Sequence, residues 1–257
     1  MCITMTSTPR PHSTARATAP SQVSLQPMPA EKPSPLSLDS VRPRSFAFDG
    51  AIFDFDGTLA NSWGVWHQVD NLFLAQHGFA RPADFSQQMA GRSFIEGARW
   101  VVETFHLRET PQEVCDQWNA LGQKLYKTQV SLLPGALDYL RALKAAGVPL
   151  ALATTNDPQV LSSLSHLIDL DEIFDACLFG CDVSRDKRFP DIYEAAARRL
   201  GTAPSRTVVF EDIPQGLKVA ASAGFATVGV LNQDPEQHHS QVRQAAQLTL
   251  SDWRDLL

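Results

Sequence analysis

Asp54 and Asp56 follow the apolar run Ala51-Ile52-Phe53. Thr154 closes the run that begins at Val148, Lys187 lies in the loop after Ala176 to Phe179, and Glu211-Asp212 follows Thr207 to Phe210. If these run ends met, three or four carboxylates, one hydroxyl and one ammonium would act together. Carboxylates are hard oxygen donors of the kind that hold Mg²⁺. An ammonium and a hydroxyl can hold the oxygens of an anion such as phosphate.

A parallel sheet would bring them together. The runs, with a further one from Ala226 to Leu231, are short and continuously apolar, the pattern of strands covered on both faces. Helical stripes separate them: Leu137, Leu140 and Leu143 before the second run, and Val160, Leu161 and Leu164 after it. Gly147, Gly201 and Gly224 each follow a helical stretch, where helix-ending glycines belong. The expected fold class is α/β, and in an open parallel sheet ligands bind beyond the carboxyl ends of the strands.

One interval breaks the alternation. Residues 62–132 show no convincing strand but carry helical stripes at Val65, Val69, Leu72 and Phe73, at Ala98, Val101, Val102 and Phe105, and at Val114, Trp118, Leu121 and Leu125. An all-helical insert is expected there. Residues 1–45 hold 8 of the 17 prolines and 13 Ser/Thr with no aromatic residue, the composition of a disordered tail. The organisation that follows is a tail of 1–45, a core of 46–61 and 133–257, and a helical cap of 62–132.

Composition excludes several classes of partner. The chain carries a net charge of −6, and without the tail 17 basic and 26 acidic side chains leave −9. No Lys/Arg cluster is present, so nucleic acid is not expected as a partner. No apolar run approaches the roughly 20 residues that span a bilayer, and no signal-peptide pattern opens the sequence, so no membrane partner is expected. Cys2, Cys115, Cys177 and Cys181 are too few and too irregular for a disulfide framework, which fits a cytoplasmic setting.

The order and spacing of these groups resembles the haloacid dehalogenase superfamily, in its phosphatase branch with a helical cap inserted after the first strand. Four motifs carry the resemblance. The first is Asp54-Phe55-Asp56-Gly57-Thr58-Leu59, the most specific. The second runs from Leu133-Pro134-Gly135-Ala136 through Gly147 to Thr154. Lys187-Arg188-Phe189-Pro190-Asp191-Ile192-Tyr193 looks like the third. Val208-Val209-Phe210-Glu211-Asp212, with Gly216 and Ala223-Gly224, looks like the fourth.

The resemblance implies a Rossmann-like core and a Mg²⁺-dependent phosphomonoester hydrolase acting on a small phosphorylated metabolite, of the sugar phosphate or phosphoglycolate type. Asp54 would attack phosphorus and form an aspartyl-phosphate, which divides one difficult displacement into two easier ones. Asp56 would protonate the leaving alcohol and then deprotonate the hydrolytic water. The metal ligands would be the Asp54 carboxylate, the Asp56 main-chain carbonyl and Asp212, with Glu211 binding directly or through a water. Thr154 and Lys187 would hold the phosphoryl oxygens, with Arg185 and Arg188 as neighbouring rivals of Lys187. Arg92 and Asn156 are the candidates for contact with the substrate. Trp63 and Trp66 are read as packing residues of the insert that could also close over the site.

Two departures from the family pattern stand out. Asn61-Ser62 replaces the Asp-Ser of many capped relatives, and Arg188 replaces the Pro that usually follows the motif lysine, adding positive charge suited to a second anionic group. The alternatives are a β-phosphoglucomutase-like phosphotransferase, which would have a His where this chain has Trp66, and a non-catalytic protein that binds phosphorylated ligands.

Overall fold

The computed structural model describes residues 36–89 and 92–257. A helical turn, α1 (Leu38–Val41), precedes β1 (Gly50–Phe53), and a tight loop leads to the short β2 (Ala60–Asn61). The helices α2 (Val65–Gln76), α3 (Phe85–Met89), α4 (Phe94–Phe105) and α5 (Pro111–Gln129) follow, and β3 (Ser131–Leu132) then pairs antiparallel with β2. The chain continues through α6 (Ala136–Ala145), β4 (Leu150–Thr154), α7 (Pro158–Ser162), α8 (Leu170–Ile173), β5 (Ala176–Phe179) and α9 (Asp191–Leu200). It ends with β6 (Thr207–Glu211), α10 (Pro214–Ser222), β7 (Ala226–Val230), α11 (His239–Ala245) and β8 (Leu248–Leu250).

The sheet has six strands in the order β5-β4-β1-β6-β7-β8, every neighbouring pair parallel. The expected α/β class is observed. Successive side chains of a strand point to opposite faces, and here both faces are covered. Ile52 packs with Ala151 and Val209 beneath α9 and α10 (Ile192, Ala196, Val219, Ala220). Phe53 packs with Leu152 and Phe210 beneath α6 (Tyr139, Leu140, Leu143). A strand buried on both sides needs apolar residues at every position, which is why the runs are continuous rather than alternating.

The rings of Phe53 and Phe210 stack with centroids 4.7 Å apart, and Trp253, in the last turn of the chain, lies 5.2 Å from Phe210 and 6.0 Å from Phe53. Its indole N–H donates to the carbonyl of Thr58 at 3.0 Å, in the loop after β1. The carboxyl end of the chain therefore packs against the strand and the loop that carry Asp54.

The helices α2 to α5 have a core of their own, built from Val69, Phe73, Phe85, Ala98, Val101, Val114 and Trp118. Capping boxes open α4 (Ser93 with Glu96) and α5 (Thr110 with Glu113), and Pro111 sits at the first position of α5, where it needs no amide hydrogen.

The structure departs from the sequence expectations in several places. Leu72 is 44% exposed while Leu74 is buried, because the apolar stripe of α2 runs through Val65, Val69 and Phe73 at intervals of four. β2, β3 and β8 have two, two and three residues, too few to show a period. Residues 62–132 were expected to lack strand, and Ser131–Leu132 is one, held by its partner rather than by its own pattern. α1 lies inside the stretch expected to be tail: Val41 is buried, and the Tyr139 hydroxyl donates to its carbonyl at 2.5 Å. Residues 1–35 of that expected tail lie outside the described residues. Among the described residues no helix is long and apolar enough to cross a membrane.

Trp253→Ala should lower stability by about 3–5 kcal/mol, since it empties a buried aromatic site and leaves the Thr58 carbonyl without its donor. Urea unfolding measures this, and a loss below about 1 kcal/mol would show that the terminal turn lies outside the cooperative core.

Candidate active site

Strand register decides which side chains meet. Phe53 is paired with Phe210 on one side and Leu152 on the other, so Asp54 emerges beside Glu211, and Thr154 ends the strand on the opposite flank. β4 and β5 lie to one side of β1 and β6 to β8 to the other, so the crevice beyond β1 is the switch point where open sheets bind ligands.

The loop after β1 is folded tightly by Gly57, at φ +80°. A Cβ on Gly57 would fall 2.2 Å from Asp212 Oδ2, so no other residue fits without moving that carboxylate. Asn232 joins the two: its Nδ2 donates to the Gly57 carbonyl and to Asp212 Oδ2, both at 2.9 Å. The sequence carries no signal for Asn232 beyond its place just after the apolar run that forms β7.

Asp54 is only 5% exposed. Lys187 Nζ donates to Asp54 Oδ1 and, at 2.7 Å, to Glu211 Oε2. Glu211 is fully buried, and its remaining donors are the Tyr193 hydroxyl at 2.8 Å and the Ile213 amide at 3.2 Å. Burial, reinforced by the charge of Glu211, raises the Asp54 carboxyl to about 7. Burial together with Glu211 and Asp54 lifts Asp212 well above the carboxylate range. Burial opposes the charge on Lys187, but Asp54 and Glu211 outweigh it and hold the ammonium well above its ordinary value.

One ammonium thus faces three carboxylates. Among the described residues, one oxygen from each of Asp54, Glu211 and Asp212 lies within 4.8 Å of the others. Asp212 Oδ1 is buried with no hydrogen-bond partner. An enclosed excess of negative charge with an orphaned hard oxygen fits a divalent cation such as Mg²⁺.

Asp56 directs its carboxylate away from this cluster, to Tyr126 (2.5 Å) and to Asn156 Nδ2 (2.8 Å). Thr154 is buried, and its hydroxyl oxygen accepts from the Asn156 amide at 3.0 Å, leaving the hydroxyl hydrogen for another acceptor. Asn156 also lines a cavity of about 250 Å³ between the sheet edge and the helical insert, walled by Ser93, Phe94, Ile95, Cys115, Asp157 and Asp186 among others.

Other expected groups are not brought to the cluster. Arg92 Nε donates to the Gln88 carbonyl at 2.7 Å, and its guanidinium lies over Trp100, so this exposed side chain is engaged by its own helical neighbours. Arg185 pairs with Asp191 at 2.5 Å, and Arg188 with Asp186 at 2.6 Å and Glu96 at 3.3 Å. The positive charge expected of Arg188 is therefore neutralised locally, and Lys187 is the cation that reaches the carboxylates. Trp63 is 45% exposed, whereas Trp66 packs inward and donates Nε1 to Tyr126 at 2.8 Å. Tyr126 and Asn232 touch the expected residues, yet no spacing in the sequence singles them out, and Tyr193, which closes the third motif, had no role assigned to it there.

A haloacid dehalogenase-like hydrolase family profile matches residues 48–224. The chain belongs to the haloacid dehalogenase-like hydrolases. Among similar proteins of this family, one named "Probable pseudouridine-5'-phosphatase" from Drosophila melanogaster is 33% identical over 202 residues, covering 74% of this chain and 87% of that protein. The bifunctional riboflavin kinase/FMN phosphatase of Arabidopsis thaliana is 32% identical over 192 residues, 73% of this chain, and the match spans only about half of it (49%). The haloacid dehalogenase fold is seen again in crystalline CbbY from Rhodobacter sphaeroides bound to xylulose-(1,5)bisphosphate, with a TM-score of 0.71 at 23% identity over 80% of this chain and 95% of that one.

The raised carboxyl of Asp54 has a consequence for stability without metal. Folding lifts its pKa from the ordinary 3.8 to about 7. Between those values the folded state binds more protons than the unfolded one, so stability falls as pH rises through that window. The melting temperature of chelator-treated protein should drop from about pH 5 to about pH 7, and Asp54→Asn should flatten the slope. A wild-type profile that is level or rising there would contradict the crowding of charge described above.

Proposed function

We propose that the chain is a Mg²⁺-dependent phosphomonoester hydrolase that acts on a small phosphorylated metabolite, of the sugar phosphate or phosphoglycolate type, through an aspartyl-phosphate on Asp54. The class is that of its family relatives: it is a hydrolase of phosphoric monoesters. The observation that carries the mechanism is the buried Asp54 carboxylate at the end of the central strand, facing Lys187, with Asp212 and Glu211 beside it.

Mg²⁺, held by the carboxylates of Asp54 and Asp212 and the main-chain oxygen of Asp56, with Glu211 direct or through a water, would supply the positive charge that lets an anionic carboxylate approach an anionic phosphate. Asp54 attacks phosphorus, and the bond from phosphorus to the alcohol oxygen breaks as the aspartyl-phosphate forms. Asp56 gives a proton to that leaving oxygen, then takes one from the water that attacks the aspartyl-phosphate and releases inorganic phosphate. Lys187 and the Thr154 hydroxyl hold the phosphoryl oxygens.

In this reading residues 62–132 act as a cap over the core of 46–61 and 133–257 and keep bulk water from the intermediate. Asn156, at the wall of the cavity, is the better placed of the two substrate candidates; Arg92 would have to leave Gln88 and Trp100 to take part. A mutase reading is not favoured, because the side chain at position 66 is an indole, which donates to Tyr126 and has no basic lone pair to take a proton from a sugar hydroxyl. The proposed setting is the cytoplasm, where the free thiols of Cys115, Cys177 and Cys181 stay reduced.

A phosphate-release screen over small phosphate monoesters tests the activity and ranks substrates at once. Asp54→Asn should abolish release in a protein that still melts cooperatively; undiminished turnover would remove Asp54 from the mechanism. Removing divalent metal with a chelator should stop the reaction and Mg²⁺ should restore it, whereas a rate indifferent to chelation would remove the metal.

A further inference from the structure

The carboxylate of Asp56 lies among donors from distant parts of the chain. Tyr126, in the last turn of α5, gives its hydroxyl proton to Oδ1, and Asn156 donates Nδ2 to Oδ2 at 2.8 Å. The Tyr126 oxygen in turn accepts from Trp66 Nε1 at 2.8 Å and from Asn156 Nδ2 at 2.9 Å. The directions of these bonds are settled by chemistry. An indole nitrogen can only donate. The side-chain oxygen of Asn156 is engaged by the Asp157 amide at 2.8 Å, so its nitrogen must be the atom that faces Asp56 and Tyr126. With donors on its oxygen, the one proton of Tyr126 goes to Asp56.

A phenylalanine would fill the same buried space without a polar atom to satisfy, and burying a hydroxyl costs free energy unless it is hydrogen-bonded. Tyr126 is fully buried, and the bond its hydroxyl donates goes to a single carboxylate of the sheet core. Trp66 and Tyr126 belong to the first turn of α2 and the last turn of α5, the two ends of the helical insert. Any shift of the insert against the sheet therefore moves the phenol relative to Asp56.

We propose that Tyr126, oriented by Trp66, is the positioning residue that aims the Asp56 carboxylate, so that the helical insert sets the acid–base group of the core. The inference rests on the reading of Asp56 as the proton donor to the leaving oxygen. Tyr126 acts through Asp56, so its effect should depend on how much the leaving group needs a proton.

Two esters of matched shape separate this role from a packing role. p-Nitrobenzyl phosphate releases an alkoxide that requires protonation, and p-nitrophenyl phosphate releases a phenolate that does not. The ratio kcat/KM reports the steps through formation of the aspartyl-phosphate. Tyr126→Phe should lower kcat/KM roughly tenfold or more for the benzyl ester and less than about threefold for the phenyl ester. Trp66→Phe leaves the phenol in place and should show the same discrimination to a smaller degree, and it decides the matter if Tyr126→Phe fails to fold. Asp56→Asn is the benchmark and should discriminate most. Equal losses on both esters in Tyr126→Phe and Trp66→Phe, beside a discriminating Asp56→Asn, would overturn the inference alone. An Asp56→Asn that does not discriminate would overturn the reading of Asp56 and the inference with it.

Discussion

Three carboxylates and one ammonium share a buried space at the carboxyl ends of β1 and β6, and the arrangement of the chain around them follows from that crowding. Lys187 can answer only part of the charge of Asp54, Glu211 and Asp212. In water such groups would move apart or be screened; in a site where Asp54 is 5% exposed and Glu211 is fully buried, they are held together by the rest of the fold. The free energy of that confinement is what raises the proton affinity of Asp54 and Asp212 and what a divalent cation would relieve.

The confinement comes from the sheet and the segments packed behind it. β1 is the central strand, tied on both sides, so Asp54 cannot retreat along either neighbour. Glu211 is locked by Tyr193 from the first turn of α9, and Asp212 by Asn232 from beyond β7, so three crossovers of the chain converge on one edge. The loop after β1 is clamped at Gly57 by the same Asn232 and at Thr58 by the indole of Trp253. Each member of the polar cluster is held by an element that also packs in the apolar core.

The helical insert adds a second level. It has a core of its own in Val69, Phe73, Val101 and Trp118, yet its two ends meet the sheet through Trp66, Tyr126 and the paired strands β2 and β3. The charged site belongs to the sheet, whereas the surroundings of Asp56 and much of the cavity wall belong to both layers. The charged cluster and the cavity are therefore divided between two packing units, with Asp56 at the seam.

The sequence by itself determined the strands of the core and the residues at their ends. Runs such as Thr207 to Phe210 are apolar at every position because both faces are covered, and that pattern needs no knowledge of partners. Asp54, Asp56, Thr154, Glu211 and Asp212 were legible because polar groups at or just past the end of such a run stand where an open sheet binds ligands, whereas Lys187, in a loop well past Phe179, was legible through the resemblance. Elements of two or three residues, β2, β3 and β8, were not legible, since their stability lies in pairing rather than in period. Only the tertiary structure decided that Lys187 and not Arg185 or Arg188 reaches the carboxylates, that Arg92 turns to Gln88 and Trp100 on the flanking helices, and that Tyr126, Tyr193 and Asn232 bond to the site's carboxylates. Those three are 70, 18 and 20 residues from the carboxylates they bind, and a hydrogen bond across such a separation is set by how the layers pack, which no local spacing records.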